Sequence, residues 1–266
     1  MATLKSPVKY FGGKGGMFNE ILEHFPADDQ YKVYVEPFGG SGAMLLSRPL
    51  TGHVEIYNDI YENVYSLFKC LSDKTLFEEL KAKCDLALYS AQLRAEYKEK
   101  LKEQITLVER AYYYWYVNRT SHNGIGGFSL NCCIRRNMSK ATSDFLSCID
   151  RLPQLHDRLS AVIVDKRDAV ALIDKYNQPN VFIYADPPYH HDTRGTHRYV
   201  HDFTDEQHEA FIDCVLRSTA KVLISGYACK AYERLETKFK RIDFQVNTID
   251  GNFDKKTKVE SLWKNY

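Results

Sequence analysis

The segment Asp186-Pro187-Pro188-Tyr189 combines groups that together can hold an exocyclic amine. Two prolines fix the backbone, so the Asp186 carboxylate and the Pro187 carbonyl can point at one small group. The Tyr189 ring offers a face on which a flat molecule can stack. A capping aspartate in a proline-stiffened loop is the simpler interpretation. Two hydrogen-bond acceptors that converge beside an aromatic face favour the interpretation as a site that binds an exocyclic amine.

A glycine-rich turn connects a strand to a helix in Glu36-Pro37-Phe38-Gly39-Gly40-Ser41-Gly42-Ala43. Glycine lets the backbone approach a ligand closely, and a helix N-terminus offers free N–H groups. A second strand ends just before Asp59, an acid that can accept hydrogen bonds from ribose hydroxyls. The turn alone also fits a tight strand-to-helix connection. Together with Asp59, it favours a cofactor that contains ribose, bound at the carboxyl ends of the strands.

The N-terminal segment Val8-Lys9-Tyr10-Phe11-Gly12-Gly13-Lys14 precedes an amphipathic helix with Met17, Ile21 and Phe25 on one side. An aromatic ring and a lysine next to two glycines can close over the adenine and the carboxylate of a cofactor. A solvated turn fits the same residues equally well.

The elements that must position these groups alternate between short β-branched runs and helical segments, which predicts an α/β fold with a mostly parallel sheet. Thr204 and Gln207 form a capping box that opens a helix running to about Arg217. Residues 241–249 and 258–263 flank the turn-rich Asp250-Gly251-Asn252, which predicts an antiparallel hairpin at the end of the chain. The predicted strands are residues 33–36, 54–57, 161–164, 181–184 and 222–225.

The middle of the chain breaks this alternation. Residues 67–117 read as helices, and residues 118–143 are rich in Asn, Ser and Gly and carry several basic side chains. The simplest organisation is a catalytic domain formed by residues 1–65 and 156–266, with an inserted domain of residues 66–155.

Composition gives only coarse limits. Lysine and arginine total 36 against 35 acidic residues, so any contact with nucleic acid must come from a local basic patch. No run approaches the roughly 20 apolar residues of a membrane span, and Met1-Ala2-Thr3-Leu4-Lys5 lacks the apolar run of a secretory signal. Seven cysteines without a C-x-x-C pair argue against a disulfide framework and a zinc knuckle. We expect a soluble, cytoplasmic protein with reduced, mostly buried cysteines.

These motifs, in this order, resemble the Dam-like DNA N6-adenine methyltransferases of the alpha class. Phe38-Gly39-Gly40-Ser41-Gly42 is similar to the F-x-G-x-G cofactor motif of that family, and Asp186-Pro187-Pro188-Tyr189 to its D-P-P-Y catalytic motif. Lys9-Tyr10-Phe11-Gly12-Gly13-Lys14 is similar to its N-terminal cofactor segment. The resemblance covers nearly the whole chain. It extends to Asn118-Arg119, Asn123-Gly124, Arg167-Asp168-Ala169, Ser225-Gly226-Tyr227 and Lys258-Val259-Glu260.

The resemblance implies a Rossmann-like methyltransferase fold with a mixed sheet and a C-terminal hairpin, plus an inserted, mainly helical target-recognition domain. It implies S-adenosylmethionine as the cofactor and double-stranded DNA as the partner, with restriction-modification as one context. No metal is expected because a sulfonium methyl is already electrophilic, and a monomer is expected because one flipped base needs one active site. Asp186, Pro187 and Tyr189 are expected to act on the N6 amine of an adenine that is flipped out of the duplex. The residues expected around the cofactor are Tyr10, Lys14, Glu36, Phe38, Gly40, Gly42, Asp59, Asp168 and Asp186.

DNA contact is expected from the insertion, through Arg119, Asn123, Arg135, Arg136 and Lys140. Each basic residue is equally well explained as a solvated charge, and Asn123 either reads a base edge or occupies a turn. Some relatives carry arginine three residues after their Asn-Gly, where this chain has Gly127, so the recognised DNA sequence does not transfer.

Three alternatives stay open at this point. An Asp-Pro-Pro-Tyr pocket needs only an exocyclic amine, so cytosine N4 or an RNA adenine would also suit it. Four histidines lie in one segment, and His197 and His201 are four residues apart, as helical zinc ligands often are. This spacing supports a metal-dependent nuclease as an alternative function. Gly195 argues for a loop there. A catalytically silent DNA-binding module is disfavoured because both motifs are intact.

Overall fold

A computed structural model describes residues 4–9, 17–124, 126–193, 202–249 and 255–266. Its α-helices are α1 Phe18–Leu22, α2 Ala43–Ser47, α3 Glu62–Ser72, α4 Lys74–Asp85, α5 Ala91–Lys100, α6 Leu107–Thr120, α7 Lys140–Leu159, α8 Ala169–Lys175 and α9 Asp205–Arg217. Its strands are β1 Val33–Glu36, β2 Val54–Asn58, β3 Ile134–Arg135, β4 Met138–Ser139, β5 Val162–Asp165, β6 Val181–Ala185, β7 Lys221–Gly226, β8 Lys240–Ile249 and β9 Lys255–Lys264. Within the described residues, no helix has the length and apolar character that crossing a membrane requires.

The chain forms two compact units. The helical unit consists of residues 1–14, 40–50 and 61–165, and the sheet unit of residues 15–39, 51–60 and 166–266. These are units of packing. The assignment of residues 66–155 to target recognition concerns function and stays a prediction.

In the sheet unit the strands follow the order β2-β1-β6-β7-β9-β8. The first four strands are parallel, with β1 between β2 and β6 and with β7 beside β6. Strand β9 pairs antiparallel with both β7 and β8. The mixed sheet and the C-terminal hairpin are therefore confirmed, whereas the predicted turn residues 250–252 lie outside the described part of the chain.

Apolar side chains on both faces of the central strands form the core of the sheet unit. All five residues of β6 are buried, as expected for a parallel strand covered on both sides. Helix α9 begins with the predicted capping box, in which Thr204 and Gln207 satisfy each other's backbone N–H groups, and it ends at Arg217 as predicted. Phe211 of α9 and Trp263 of β9 are both part of this core.

The helical unit contains α3 to α7, which confirms the helical interpretation of residues 67–117. Trp115 and Phe145 are fully buried in it, with ring centroids 5.1 Å apart. Residues 118–143 include a short hairpin, β3–β4, whose two turn residues Arg136 and Asn137 both have positive φ. That pair of conformations is typical of a type I′ turn.

All seven cysteines are free. Four of them are buried, Cys229 is half-buried, and Cys132 and Cys133 are exposed beside the β3–β4 hairpin. The exposed pair is an exception to the expectation that these thiols are mostly buried.

Candidate active site

The carboxyl ends of four neighbouring parallel strands share one edge of the sheet unit. Strand β1 ends at Glu36, β2 ends just before Asp59, and β6 ends just before Asp186. Open α/β sheets bind their ligands at this edge. The sheet therefore brings together three acids that the sequence places far apart.

Asn58, the last residue of β2, connects two chain segments that carry predicted cofactor-binding acids, the turn after Glu36 and the turn before Asp168. It is fully buried, and its Nδ2 donates to the carbonyl oxygens of Pro37 at 2.8 Å and Arg167 at 3.1 Å. Its Oδ1 accepts from the Arg167 backbone N–H at 2.8 Å, and its carbonyl accepts from the Gly39 N–H at 2.8 Å. The turn after β1 and the turn before α8 are thus fixed to the end of β2. The sequence predicts that Asp59 binds the ribose of the cofactor, but it gives no sign of the role of the neighbouring Asn58.

The glycine-rich turn shows why glycine is required at particular positions. A Cβ atom on Gly39 would lie 2.2 Å from the ring of Tyr57, so only glycine fits against that buried side chain. Gly40 and Gly42 have φ of 50° and 64°, a conformation that L-residues with side chains rarely adopt. Phe38 packs edge-on against Phe211, with ring centroids 5.7 Å apart.

The other predicted cofactor contacts have local partners in the sheet unit. Asp168 is exposed, and its Oδ1 caps α8 by accepting from the Ala171 N–H at 3.0 Å. Glu36 is buried and accepts from the Tyr34 hydroxyl at 2.6 Å. Tyr10 and Lys14 lie outside the described residues.

Asp186 is held by a short chain of hydroxyl groups. The Ser225 hydroxyl donates to Asp186 Oδ1 at 3.0 Å, and the Tyr184 and Ser225 hydroxyl oxygens are 2.9 Å apart. Because Ser225 has one hydroxyl proton and gives it to the carboxylate, Tyr184 must donate to Ser225. Burial, followed by the charge of Asp186, raises the pKa of Tyr184 well above its usual value, which keeps this donor protonated.

The ring of Tyr189 is fixed at two points. Its hydroxyl donates to Glu260 Oε1 at 2.7 Å, and its ring packs edge-on against Tyr227 with centroids 4.8 Å apart. Glu260 is 2% exposed. Burial and then the Glu260 charge raise the pKa of Tyr227 to about 12. Ser225 and Glu260 both lie in motifs that resemble the family, but the sequence alone predicts no role for either.

The basic residues expected at DNA are in the helical unit, and most of them are exposed. Arg135, Arg136 and Lys140 follow one another on the β3–β4 hairpin and at the start of α7, with exposed side chains. Arg135 pairs with Asp144 at 2.7 Å, and both side chains are about half exposed. Arg136 donates to the Ser147 hydroxyl at 3.0 Å.

Arg119 and Asn123 have a different setting. The Arg119 side chain is half-buried and donates to the Asp144 carbonyl at 3.4 Å, whereas Asn123 is exposed with φ of 50°. Nearby, the side chain of Asn118 clamps the Lys9 backbone, accepting from its N–H at 2.7 Å and donating to its carbonyl at 2.8 Å. A Cβ on Gly124 would lie 2.3 Å from that same carbonyl oxygen, so the Asn-Gly segment needs glycine where it meets Lys9.

Comparison with known proteins places the chain in a family. A model of the D12 class N6 adenine-specific DNA methyltransferases matches residues 10–248. The type II methyltransferase M.MjaIII of Methanocaldococcus jannaschii is 26% identical over 207 residues, which cover 70% of this chain and 69% of the relative. The type II methyltransferase M.CviBI of Paramecium bursaria Chlorella virus NC1A is 19% identical over 190 residues, with the same coverage. The DNA adenine methylase of Escherichia coli K12 is 26% identical over 126 residues, 46% of this chain and 43% of the relative.

The family match selects among the chemistries that the sequence left open. It names adenine in DNA, and it therefore disfavours cytosine N4, RNA and nuclease chemistry. The mixed α/β sheet, with its acids at the carboxyl ends of the parallel strands, is the architecture that the resemblance implies. The chain belongs to the D12 class of N6 adenine-specific DNA methyltransferases, enzymes that transfer a methyl group from S-adenosylmethionine to adenine N6 in DNA.

Proposed function

We propose that Asp186, Pro187 and Tyr189 form the methyl-transfer site and act on an adenine that has been flipped out of the duplex. An adenine in a stacked duplex hides its amino group, so the base must leave the helix to reach a pocket. One observation carries the assignment: the Asp186 carboxylate and the Tyr189 ring are each held by a buried partner, Ser225 and Glu260.

In this pocket the chain orients the nucleophile. The Asp186 carboxylate and the Pro187 carbonyl accept the two N6 hydrogens, which draws the amine toward tetrahedral geometry and frees its lone pair. Tyr189 stacks on the base and sets its plane. The bound cofactor supplies an electrophilic methyl group on a sulfonium. Alignment of this kind is worth up to about 7–11 kcal/mol in favourable cases.

We propose that the cofactor lies against the acids at the strand ends. The acceptor groups fit, because the carboxylate oxygens of Asp59 and Asp168 can accept hydrogen bonds from the ribose hydroxyls and the adenine amine of the cofactor. Glu36 and Phe38 precede the glycine-rich turn, and Gly40 and Gly42 are proposed contacts on the strength of the motif. Tyr10 and Lys14 remain sequence-based members of this set.

On the DNA side, we propose that the helical unit contacts double-stranded DNA through Arg119, Asn123, Arg135, Arg136 and Lys140. The support is the exposure of Arg135, Arg136 and Lys140 on one short stretch of chain. On DNA binding, Arg135 would give up its ion pair with Asp144 and pair with a phosphate of the DNA backbone instead. We also propose a cytoplasmic monomer, since one flipped base needs one site; light scattering on the purified protein with and without DNA tests the oligomeric state.

The test of the catalytic assignment uses Asp186→Ala and Asp186→Asn with labelled S-adenosylmethionine and duplex DNA. We expect both variants to lose methyl transfer, because neither offers the carboxylate, while thermal stability and part of the cofactor binding persist. Asp174→Asn is the matched control, because this aspartate lies in the same unit and pairs with Arg217 on the surface. Near-normal turnover of either Asp186 variant would end the assignment, and nucleoside analysis identifies the modified base.

A further inference from the structure

Two consecutive histidines follow Tyr189 and meet an aspartate at the start of α9. His190 Nε2 is 3.2 Å and His191 Nδ1 is 3.3 Å from the same oxygen, Asp205 Oδ1. The two imidazole rings have centroids 4.3 Å apart, and His190 is 8% exposed. Three groups of metal-binding type therefore converge within the sheet unit, at a place to which methyl transfer assigns no role.

The geometry points to a binding site for a divalent transition metal, best matched by zinc, with His190 Nε2, His191 Nδ1 and Asp205 as its ligands. One ligand atom from each residue can be chosen so that all three lie within 4.8 Å of one another. Zinc binds imidazole nitrogen at about 2.0–2.1 Å and carboxylate oxygen at about 2.0–2.2 Å, which separates tetrahedral ligands by about 3.4 Å. The 3.2 and 3.3 Å separations at Asp205 match that edge, so little movement is needed to receive an ion.

A second carboxylate supports the assignment from the outer side of both rings. Asp192 Oδ1 is 3.1 Å from His191 Nε2. Metal-bound histidines usually give their other ring N–H to such a carboxylate, which fixes the ring and makes it a better ligand. Asp192 also contacts the other ring: its Oδ2 is 3.3 Å from His190 Nδ1, which accepts from the Asp192 backbone N–H at 3.4 Å. Asp205 and Asp192 thus face opposite nitrogens of the same two rings. Their two negative charges balance a divalent cation.

The site is an accessory to methyl transfer and is independent of the proposed catalytic roles. The sulfonium is already electrophilic, so the reaction requires no metal. Because His190 directly follows Tyr189, the ion would tie the catalytic segment to the first turn of α9. Three protein ligands leave one tetrahedral position for water or another ligand.

The experiment titrates zinc chloride into the full-length, tag-free, metal-free protein and measures heat and stoichiometry. A Cys132→Ser, Cys133→Ser background is used throughout, because these exposed thiols can also bind zinc. We expect one zinc per chain and a rise in Tm with zinc concentration. Asp192→Asn is expected to weaken binding by about 10- to 100-fold, and Asp205→Asn and His191→Ala by at least as much.

Two matched controls are Asp213→Asn and His53→Gln. Asp213 lies on α9 but pairs with Arg234, and the His53 ring stacks on Tyr31, so both variants should bind zinc as the parent does. The Tm of each metal-free variant shows that it is folded. The inference is wrong if the parent takes up no zinc, or if Asp205→Asn binds zinc as tightly as Asp213→Asn. The zinc-site inference survives a loss of methyl transfer in Asp186→Ala, since that variant keeps His190, His191, Asp192 and Asp205.

Discussion

Glu260 should control the rate of methyl transfer through the hydroxyl of Tyr189. The buried carboxylate accepts from that hydroxyl at 2.7 Å, and so it fixes the ring on which the target base is proposed to stack. In Glu260→Ala, the phenol loses a charged acceptor and the ring can rotate out of the stacking position. We therefore expect kcat to fall more than KM rises.

The size of the effect follows from the kind of hydrogen bond that is lost. Hydrogen bonds to charged groups contribute about 1.5–3 kcal/mol. At about 1.4 kcal/mol for each factor of ten, the loss corresponds to a fall of about 10- to 150-fold in kcat if all of it is felt in the transition state. Glu260→Gln keeps a neutral acceptor worth about 0.5–1.5 kcal/mol, so its kcat should fall by about 5- to 12-fold, less than that of Glu260→Ala.

A double-mutant cycle with Tyr189→Phe separates positioning from a general structural effect. Phenylalanine keeps the stacking face but gives nothing to Glu260, so Glu260→Ala should cost little more in that background. Tyr227→Phe is the control, because the Glu260 charge also acts on the Tyr227 phenol and the Tyr227 ring packs on Tyr189, but Tyr227 is not proposed to touch the base. Steady-state methylation at saturating DNA and cofactor gives kcat, and Tm reports on folding. Equal losses in the parent and in the Tyr189→Phe background would refute the reasoning, as would unchanged kcat in a folded Glu260→Ala protein.

Three further predictions concern the scaffold and the DNA-facing side. Gly39→Ala should lower the urea midpoint by an amount equivalent to about 1–3 kcal/mol, because its Cβ would lie 2.2 Å from Tyr57. Gly127→Ala is the control and should leave the midpoint unchanged, because its Cβ would have no atom within 4 Å. Equal midpoints for the two variants would contradict the packing argument. Burial and then the Arg119 charge lower the pKa of Lys9 to about 8 in the folded protein, against 10.5 for an unperturbed lysine. Between these two pH values Lys9 is protonated in the unfolded chain and largely neutral in the folded protein. The free energy of unfolding therefore rises with pH over this range. Urea unfolding of the parent and Lys9→Met across that range should show a difference that grows with pH, and a constant difference would rule the shift out. Arg136→Ala and Lys140→Ala should each reduce the slope of log affinity for DNA against log salt by about 0.9, whereas Arg217→Ala in the sheet unit should leave it unchanged.

The sequence was informative wherever structure follows from neighbours along the chain. The β-branched runs predicted β1, β2, β6 and β7 to within a residue at each end, and β5 is displaced by one residue. The capping box at Thr204 gave the start of α9 because both partners lie within one turn. The acids at the strand ends could be placed on one edge because parallel strands align their carboxyl ends.

What the sequence did not reveal depends on contacts between distant positions. Ser225 lies 39 residues from Asp186, Glu260 lies 71 from Tyr189, and Asn58 lies 109 from Arg167. No spacing rule links residues so far apart, because their distance in space is set by strand order. The pairing of His190 with Asp205 was also not predicted, and the histidine pair that the spacing did favour, His197 and His201, lies outside the described residues.

The antiparallel strand β9 explains how partners for both proposed catalytic groups reach one edge of the sheet. Strand β7 runs parallel to β6, so Ser225 near its carboxyl end comes level with Asp186, which follows β6. Strand β9 runs the other way beside β7, and Ser261 pairs with Gly226, the last residue of β7. Glu260 precedes Ser261 and therefore lies at the same edge, where it meets Tyr189. In a parallel strand at this register, the residues before Ser261 would instead run back along β7, away from the edge. The reversal of direction at β9 is thus what allows Glu260 to hold the ring of Tyr189.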